Sequence, residues 1–383
     1  MILSLAIGCF VVDGWSFWLS VLFLIFFIVQ LIFYGFIYRK AYAVDTVTIA
    51  EQHPVSVIVA ARNDAPGLKK LLPELLRQQY GCFEIIVADD RSVDDTREVV
   101  TTFIGKSDKI RYLKVDPCVD EIPGKKLALS KAIRQAKYEL LLFTDADCVP
   151  SSSNWILLMA SACKPNTDLV LGYGAYVAEK NWLNTLIRYD TQLIALQYLG
   201  MANAHMPYMG VGRNLLYRKS LWQSTNGFTQ HSSVASGDDD LFVQQAVQKR
   251  NHATVLHRDA TTFSVAKSEF SLWRNQKIRH LTTAPHYKLG LQILLIAEPL
   301  SRMVLYIILI LLFVFSAKYF ALAALLLYLM LMVLKVHRFD RFAKTAGEQN
   351  LSIKIFCFDV ILPLVYSYFW MIKKFCRPNI QWK

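Results

Sequence analysis

The 383-residue chain lacks a cysteine pattern that would build a disulfide framework or a zinc site. Its seven cysteines are scattered, and none forms a Cys-x-x-Cys pair. The chain also lacks a dense run of lysine and arginine with interleaved aromatic residues, so we expect no nucleic-acid partner despite a net charge of +12. The cysteine pattern favours a reducing compartment. Since no nucleic-acid partner is expected, we interpret the excess positive charge as facing membrane headgroups.

Charged residues are also missing from one long apolar stretch near the start of the chain. Residues 14–38 contain none, and about 20 apolar residues suffice to cross a bilayer. Arg39 and Lys40 follow directly, which by the positive-inside rule places the next segment in the cytoplasm. Because 54% of the residues are hydrophobic and the mean hydropathy is +0.30, we expect an integral membrane protein.

The remaining sequence divides into an alternating strand–helix region and a second apolar region. The expected segments are a transmembrane helix over 1–40, a linker over 41–54, a catalytic domain over 55–285, an interfacial segment over 286–302, a transmembrane hairpin over 303–335, a basic loop over 336–352, and a last transmembrane helix with a basic tail over 353–383. Four crossings would place the basic tail outside, against the positive-inside rule. A single steeply tilted crossing by 303–334 would return it to the cytoplasm; we favour four crossings.

Near-continuous apolar strands between helices set the expected fold class. "PVSVIVAAR", "FEIIVADD" and "YELLLFTDAD" are such strands, and helical patterns separate them. This alternation predicts an α/β fold with a mostly parallel sheet covered on both faces. Ligands bind such sheets at the carboxyl ends of the strands.

The strand "YELLLFTDAD" ends in two carboxylates, Asp145 and Asp147. Residues two apart in an extended segment point to the same side, so both side chains can face one site. Two like charges held together need a compensating cation, and Mg²⁺ or Mn²⁺ suits oxygen ligands. Alone, the Asp-x-Asp pattern is a weak signal, because it is common on loops.

Other strand ends carry residues suited to a nucleotide. Ala60 and Arg62 end the first strand, where the arginine either stacks on a base or pairs with phosphate, or is an ordinary surface side chain. Asp90 ends the second strand and can hydrogen-bond a base or ribose. Lys125, in "PGKKLAL", can meet a phosphate or lie on a helix surface.

Two motifs precede the second apolar region. In "YMGVGRN", Gly212 and Arg213 either line a pocket where donor and acceptor meet or form a turn into a strand. In "SGDDDLF", three acids open a helix, where one or two can serve the helix dipole. Three exceed that need, so Asp239 or Asp238 is a candidate general base.

A third motif, "SLWRNQKIRH", ends the catalytic region. Gln276 and Arg279 are three residues apart and share a helix face. They can hold a pyrophosphate leaving group or an acceptor. A basic helix lying on the membrane surface is the alternative explanation for this motif.

In this order and spacing the motifs resemble those of family 2 glycosyltransferases, which are membrane enzymes with a GT-A fold. The likeness covers Val55 to Leu281, through "SVIVAARND", "VADDRSVDDT", "PGKKLAL", "TDAD" and "GDDDL…QKIRH". It implies that Asp90 contacts the base and Asp145 the ribose. It also implies that Asp147 binds the metal.

The same resemblance assigns the base and the acceptor motif. Asp239 matches the catalytic base, although the third acid keeps Asp238 a candidate. Gln276 and Arg279 match a Gln-x-x-Arg-Trp motif in which His280 replaces tryptophan. That tryptophan is typical of processive polysaccharide synthases, so its absence favours transfer of one sugar.

The resemblance also implies the substrates and the location. We expect inversion at the sugar, a divalent cation, a UDP-sugar donor and a lipid or lipid-linked acceptor. The chain most resembles small bacterial members, so we expect a cell-envelope enzyme of the inner membrane with its catalytic domain in the cytoplasm.

Three other functions stay open. One is a processive synthase, and another is an inactive scaffold that binds nucleotide sugar. A transporter is the third, because Asp359 lies inside the last span and intramembrane acids are usually functional. Too few spans and no inverted repeat oppose it, and we expect Asp359 to lie near Lys354 at the interface.

Overall fold

Apolar runs form the strands of a mostly parallel sheet. The computed structural model describes residues 14–42, 53–116, 124–234, 236–246, 251–351 and 353–376. The strands in these ranges are β1 Val55–Ala61, β2 Phe83–Asp89, β3 Ile110–Lys114, β4 Leu140–Asp145, β5 Cys148–Pro150, β6 Leu169–Leu171, β7 Gly174–Tyr176, β8 Leu215–Arg218, β9 His252–Thr254 and β10 Thr262–Ser264. Every residue of β1 and β2 is buried, as in a sheet covered on both faces.

The main sheet has the strand order β3-β2-β1-β4-β8-β6-β9. Strands β1 to β4 run parallel, whereas β8 is antiparallel to both of its neighbours. A second sheet has the order β5-β10-β7. Ala60 pairs with Asp145 across β1 and β4, so these two strand ends meet at one edge. The predicted α/β fold class is confirmed.

Helices cover both faces of the sheet and extend beyond it. They are α1 Gly14–Leu31, α2 Ala65–Leu76, α3 Thr96–Ile104, α4 Lys125–Gln135, α5 Trp155–Ser161, α6 Trp182–Asn203, α7 Lys219–Ser224, α8 Asp240–Ala246, α9 Phe270–His280, α10 Leu289–Phe315, α11 Lys318–Ala346 and α12 Lys354–Cys376. Helix α1 continues through a π-helical turn, Ile32–Ile37, and a 3-10 turn, Tyr38–Tyr42. Gly14–Tyr42, α10, α11 and most of α12 are long and apolar enough to cross a membrane, consistent with a membrane protein.

The structure differs from the expected segments after residue 285. Helix α10 runs unbroken through most of 286–302, so that stretch is not a separate interfacial element. Helix α11 continues to Ala346 and takes up much of the expected loop over 336–352. The charged residues there suggest a solvated loop, but the same stretch buries Phe339 and Phe342 against the catalytic domain.

The last helix contacts the catalytic domain along most of its length. The Phe358 ring lies 6.0 Å from that of Trp182, and the Phe369 ring lies 5.3 Å from that of Trp273. Near its end, the Lys373 ammonium donates to a backbone carbonyl of the segment that follows α9. A helix that crossed the bilayer away from the domain would contact it only near one end.

The apolar core on one face of the sheet is continuous with the membrane-type helices. Helices α6, α11 and α12 contribute to one buried cluster with strands β1, β2 and β4. Gly200 of α6 lies against the turn after α1, where a Cβ atom would come within 2.5 Å of the Ile37 carbonyl oxygen. The site edge of the sheet and the apolar helices are therefore held in one rigid arrangement.

Candidate active site

One cavity of about 890 Å³ lies at the carboxyl edge of the main sheet and extends to helices α10 and α12. It brings together residues from widely separated parts of the sequence. The predicted site residues that line it are Ala60, Arg62, Lys125, Asp145, Asp147, Gly212, Arg213, Asp238, Asp239, Gln276, Arg279 and His280. Only Asp90, among the residues proposed from the sequence, does not line this cavity.

A lysine joins two of the acidic motifs. The Lys125 ammonium lies 2.9 Å from a carboxylate oxygen of Asp145 and 2.9 Å from one of Asp238. Burial disfavours its charged form, but Asp145, Asp238 and Asp239 raise the Lys125 pKa well above its usual value. Lys125 thus supplies a fixed positive charge that holds two acidic segments together, and its contact with a donor phosphate stays a prediction.

Asp145 and Asp147 fit a hard divalent cation. Asp145 ends β4 and Asp147 directly precedes β5, so both carboxylates reach the cavity from one tight turn. Their oxygens and the Cys148 sulfur lie within 4.8 Å of one another. Burial and the two aspartates raise the pKa of the Cys148 thiol well above its usual value, which keeps it protonated. The two carboxylates therefore fit a hard divalent cation better than the thiol does, and their role as its ligands stays a prediction.

The acid run "GDDD" delivers a carboxylate to the cavity opposite this pair. Gly237 has φ +95°, a left-handed conformation that a residue with a side chain rarely adopts, and it turns the chain just before Asp238. The Gly212 N–H donates to Asp239 at 2.9 Å. Burial, Asp238 and Asp240 raise the pKa of Asp239 to about 7. A carboxylate with this pKa is suited to accept a proton near neutral pH.

The third acid of the run has a partner that the sequence did not indicate. The Tyr287 hydroxyl donates to Asp240 at 2.6 Å, and Thr283 also hydrogen-bonds this carboxylate. Tyr287 and Thr283 belong to the segment between α9 and α10. Asp240 thereby ties helix α8, which directly follows Asp239, to the segment that leads into α10.

Asp90 is fully buried and bound by arginines. Its carboxylate accepts from Arg91 at 2.8 and 3.2 Å and lies 3.7 Å from Arg62. The structure therefore does not bring Asp90 into the cavity with Asp147 and Asp239, because these two arginines enclose the strand end. A contact between Asp90 and a nucleotide base stays a prediction.

Arg213 and Gln276 meet at one aromatic side chain. The Arg213 guanidinium lies 4.5 Å from the Tyr176 ring centre and donates to the Gly174 carbonyl at 2.5 Å. The Gln276 amide donates to the Tyr176 hydroxyl at 3.3 Å. Strand β7, which carries Tyr176, therefore positions two of the residues proposed from sequence, and Tyr176 itself was missed.

His280, the last residue of α9, lines the cavity. Its side chain is exposed within the cavity and lies near Lys277 and Arg279. Removal from bulk water and these two positive charges lower the pKa of His280 well below its usual value. The ring is thus uncharged at neutral pH and can accept or donate one hydrogen bond.

The far end of the cavity reaches a buried cluster of four charges. Arg302 pairs with Glu298 at 3.0 Å and with Asp359 at 3.2 Å, and Lys335 pairs with Asp359 at 2.8 Å. We call these residues the ion-pair cluster; each is at most 3% exposed. Asp359, expected near Lys354 at the interface, is instead completely buried and pairs with Lys335 and Arg302. The signal for Glu298 and Arg302 was their i,i+4 spacing within an apolar helix.

Two family models match the chain. The model described as "Glycosyl transferase family 2" matches residues 56–223, and that described as "Glycosyl transferase family group 2" matches residues 140–335. The second match covers just over half of the chain. It includes the acid run, helix α10 and the first part of helix α11.

Curated relatives match over part of their length. The chain is 25% identical over 207 residues to "Glycosyltransferase AglE" of Haloferax volcanii, covering 53% of this chain and 64% of the relative. It is 33% identical over 128 residues to "Poly-beta-1,6-N-acetyl-D-glucosamine synthase" of Staphylococcus epidermidis, covering 33% of this chain and 30% of the relative. The chain thus spans less than two thirds of either protein.

A solved structure shares the architecture over most of the chain. The mannosyltransferase PcManGT from Pyrobaculum calidifontis, in complex with GDP-Man and Mn²⁺, superposes with a TM-score of 0.57 at 17% identity. The match covers 90% of this chain and 99% of that one. At this identity the likeness establishes the fold, including its membrane-type helices.

Proposed function

Because this chain belongs to the family 2 glycosyltransferases, we propose that it transfers one sugar from a nucleotide-diphosphate sugar to a membrane-associated acceptor. The acceptor is a lipid or a lipid-linked glycan. The reaction takes place at the cytoplasmic face of a bacterial inner membrane. One observation carries the proposal. A carboxylate pair suited to a divalent cation and a carboxylate with a pKa of about 7 line the same cavity.

The donor is assigned to the end of the cavity at β1 and β4. Ala60 and Arg62 flank the nucleotide there, and Asp145 and Asp147 hold Mn²⁺ or Mg²⁺. Such a cation neutralises charge on a diphosphate leaving group. Arg279 lines the same cavity and supplies a further positive charge to the diphosphate. We propose a UDP-sugar as the donor.

Asp239 is assigned as the general base. It accepts the proton of the acceptor hydroxyl while the hydroxyl oxygen forms a bond to the anomeric carbon. The bond from that carbon to the phosphate oxygen breaks, and the nucleoside diphosphate leaves with the electron pair. Attack from the side opposite the leaving group inverts the anomeric centre. The Gly212 N–H, which donates to Asp239, orients the carboxylate for this step.

Particular residues support the transfer of a single sugar and the proposed membrane placement. Processive synthases typically carry tryptophan at the position where this chain has His280. Since α12 lies along the catalytic domain, we propose three crossings, by α1, α10 and α11. The basic tail then lies on the cytoplasmic side with Arg39 and Lys40, as the positive-inside rule requires.

Metal removal tests this function. Purified full-length protein in detergent should hydrolyse or transfer one donor from a panel of nucleotide sugars. EDTA should abolish that turnover, and Mn²⁺ or Mg²⁺ should restore it. Asp147→Ala should lower turnover at least about 100-fold, whereas Asp116→Ala, at an exposed carboxylate outside the cavity, should not. Undiminished turnover in metal-free enzyme would contradict the roles of Asp145 and Asp147.

A further inference from the structure

The cavity has a mouth on the lipid-facing side of helix α10. Ile296 lines the cavity and is 58% exposed, so it lies at an opening and not in an enclosed wall. Leu289, Ile293 and Leu300 are also exposed and lie on the same stripe of α10 as Ile296. This stripe is apolar and belongs to a helix long enough to cross a membrane. The mouth therefore opens toward hydrocarbon.

Two helices form the sides of this mouth, and each contains an interior proline. Leu295 and Pro299 of α10 and Leu362 and Pro363 of α12 all line the cavity. A proline inside a helix removes one backbone hydrogen bond and weakens the helix there. Both weak points adjoin the same cavity, so an apolar chain can be accommodated between the two helices.

Two cations that line the cavity near α10 and α12 already have carboxylate partners. Arg302 pairs with Glu298, and Lys277 pairs with Asp190, which also accepts from Tyr366. A phosphate bound at Arg302 or Lys277 would displace a buried carboxylate and leave it unpaired, which is strongly unfavourable.

Three cations that line the cavity have no carboxylate partner among the described residues. The Arg213 guanidinium is already bound by protein groups, since it donates to Ser264 of β10 and to the Gly174 carbonyl and lies 4.5 Å from the Tyr176 ring centre. Lys267 follows β10, whose neighbour β5 directly follows Asp147, so we assign it to the donor end. Arg279 is assigned to the diphosphate in the proposed reaction. Other polar groups that line the cavity include the uncharged hydroxyls and amides of Gln197, Tyr208, Thr283, Tyr287 and Tyr366.

From these observations we propose that the acceptor is a lipid with an uncharged, hydroxyl-bearing headgroup, and that it enters from the bilayer between α10 and α12. This inference rests on the proposed glycosyl transfer and narrows its acceptor. The lipid chain lies between Leu295 and Leu362, and its hydroxyl reaches Asp239. The proton passes to Asp239, the lipid oxygen bonds to the sugar, and the nucleoside diphosphate leaves with the bonding electrons.

Separated lipids test the charge of the acceptor. A bacterial membrane lipid extract is divided by anion exchange into a neutral and an acidic fraction, and each is incorporated into nanodiscs with the full-length protein and radiolabelled donor. We expect labelled lipid from the neutral fraction only, and a product that again elutes as uncharged. Label confined to the acidic fraction, or absent from both while donor is still hydrolysed, would overturn the proposal. Absence of donor turnover with every donor would instead contradict the proposed function.

Tryptophan substitutions test the entry route. Ile296→Trp places a larger side chain at the mouth and should lower lipid labelling at least 10-fold, while donor hydrolysis by water stays within twofold of wild type. Ile310→Trp is the matched control, because Ile310 is 62% exposed on the same helix and does not line the cavity. Equal labelling by both variants would exclude entry at Ile296.

Discussion

Two buried groups of charges, one at each end of the cavity, differ in how completely their charges are matched. At the end of the cavity near β1 and β4, Lys125 faces Asp145, Asp238 and Asp239, so this one cation does not match the charge of its three acidic neighbours. In the ion-pair cluster, two acids face two cations, and each charge has a partner within 3.2 Å. The first group is open to the cavity, whereas the second is almost completely buried.

This difference separates a site that acts on a ligand from one that holds helices together. Burial, followed by the neighbouring acids Asp238 and Asp240, raises the pKa of Asp239 to about 7, so the arrangement favours binding a cation and accepting a proton. A matched cluster has no such capacity, because each charge is already satisfied. The ion-pair cluster joins α10, α11 and α12 and thereby holds the three helices together at the far end of the cavity.

The largest expected effect is on catalysis. Asp239→Asn keeps the size of the side chain but removes the proton acceptor, so kcat for sugar transfer should fall about 10³-fold. Thermal unfolding in detergent should change little, because Asn still accepts from the Gly212 N–H. Asp116→Asn, the same change at an exposed position outside the cavity, should leave kcat unaltered. A near-normal kcat in Asp239→Asn would show that Asp239 is not the general base. The contrast between a catalytic group of charges and a structural one would then no longer hold.

The sequence predicted which acids lie at the sheet edge of the cavity better than it predicted the contacts of the membrane-type helices. Asp145, Asp147 and Asp239 follow local rules, since strand ends and helix starts place their side chains at the ligand edge of a parallel sheet. The partners of Asp359 and Asp240 could not be predicted, because Lys335 and Tyr287 meet them only through long-range packing.

Asp90 shows the limit of the same local rules. It directly follows strand β2, one residue beyond the predicted strand end, and Arg91 and Arg62 bind its carboxylate and keep it out of the cavity. A strand-end pattern predicts where an acid lies along the sheet. It does not predict which other side chains will bind its carboxylate and cover it.

The second prediction concerns stability. Asp359→Ala leaves Lys335 buried without its carboxylate, and we expect a loss of about 3 kcal/mol in the free energy of unfolding. Thermal or denaturant unfolding in nanodiscs measures it. Replacing Lys335 as well, in Asp359→Ala/Lys335→Leu, should recover part of that loss because no unpaired charge remains. Donor hydrolysis per folded molecule should stay near wild type in both variants.

The same experiment can contradict the interpretation that the ion-pair cluster is purely structural. If Asp359→Ala unfolds at the wild-type temperature but no longer turns over donor, the ion-pair cluster takes part in the chemistry and is not a structural element. If the double variant is less stable than the single one, the charges are held by contacts other than their mutual pairing.

The smallest expected effect is a shift in pH dependence. Burial is the main reason for the raised pKa of Asp239; Asp238 and Asp240 raise it further, while Lys125 lowers it. Transfer requires deprotonated Asp239, so kcat should fall as the pH drops through about 7. Asp240→Asn removes one negative neighbour and retains an acceptor for Tyr287, so the Asp239 pKa falls and the acid limb of kcat moves to lower pH, by about one unit. Profiles from pH 5 to 9 would show this, and Glu269→Gln, at an exposed acid outside the cavity, should give the wild-type curve. An unmoved or upward-shifted limb in Asp240→Asn would show that the crowded acids do not set the pKa of the base.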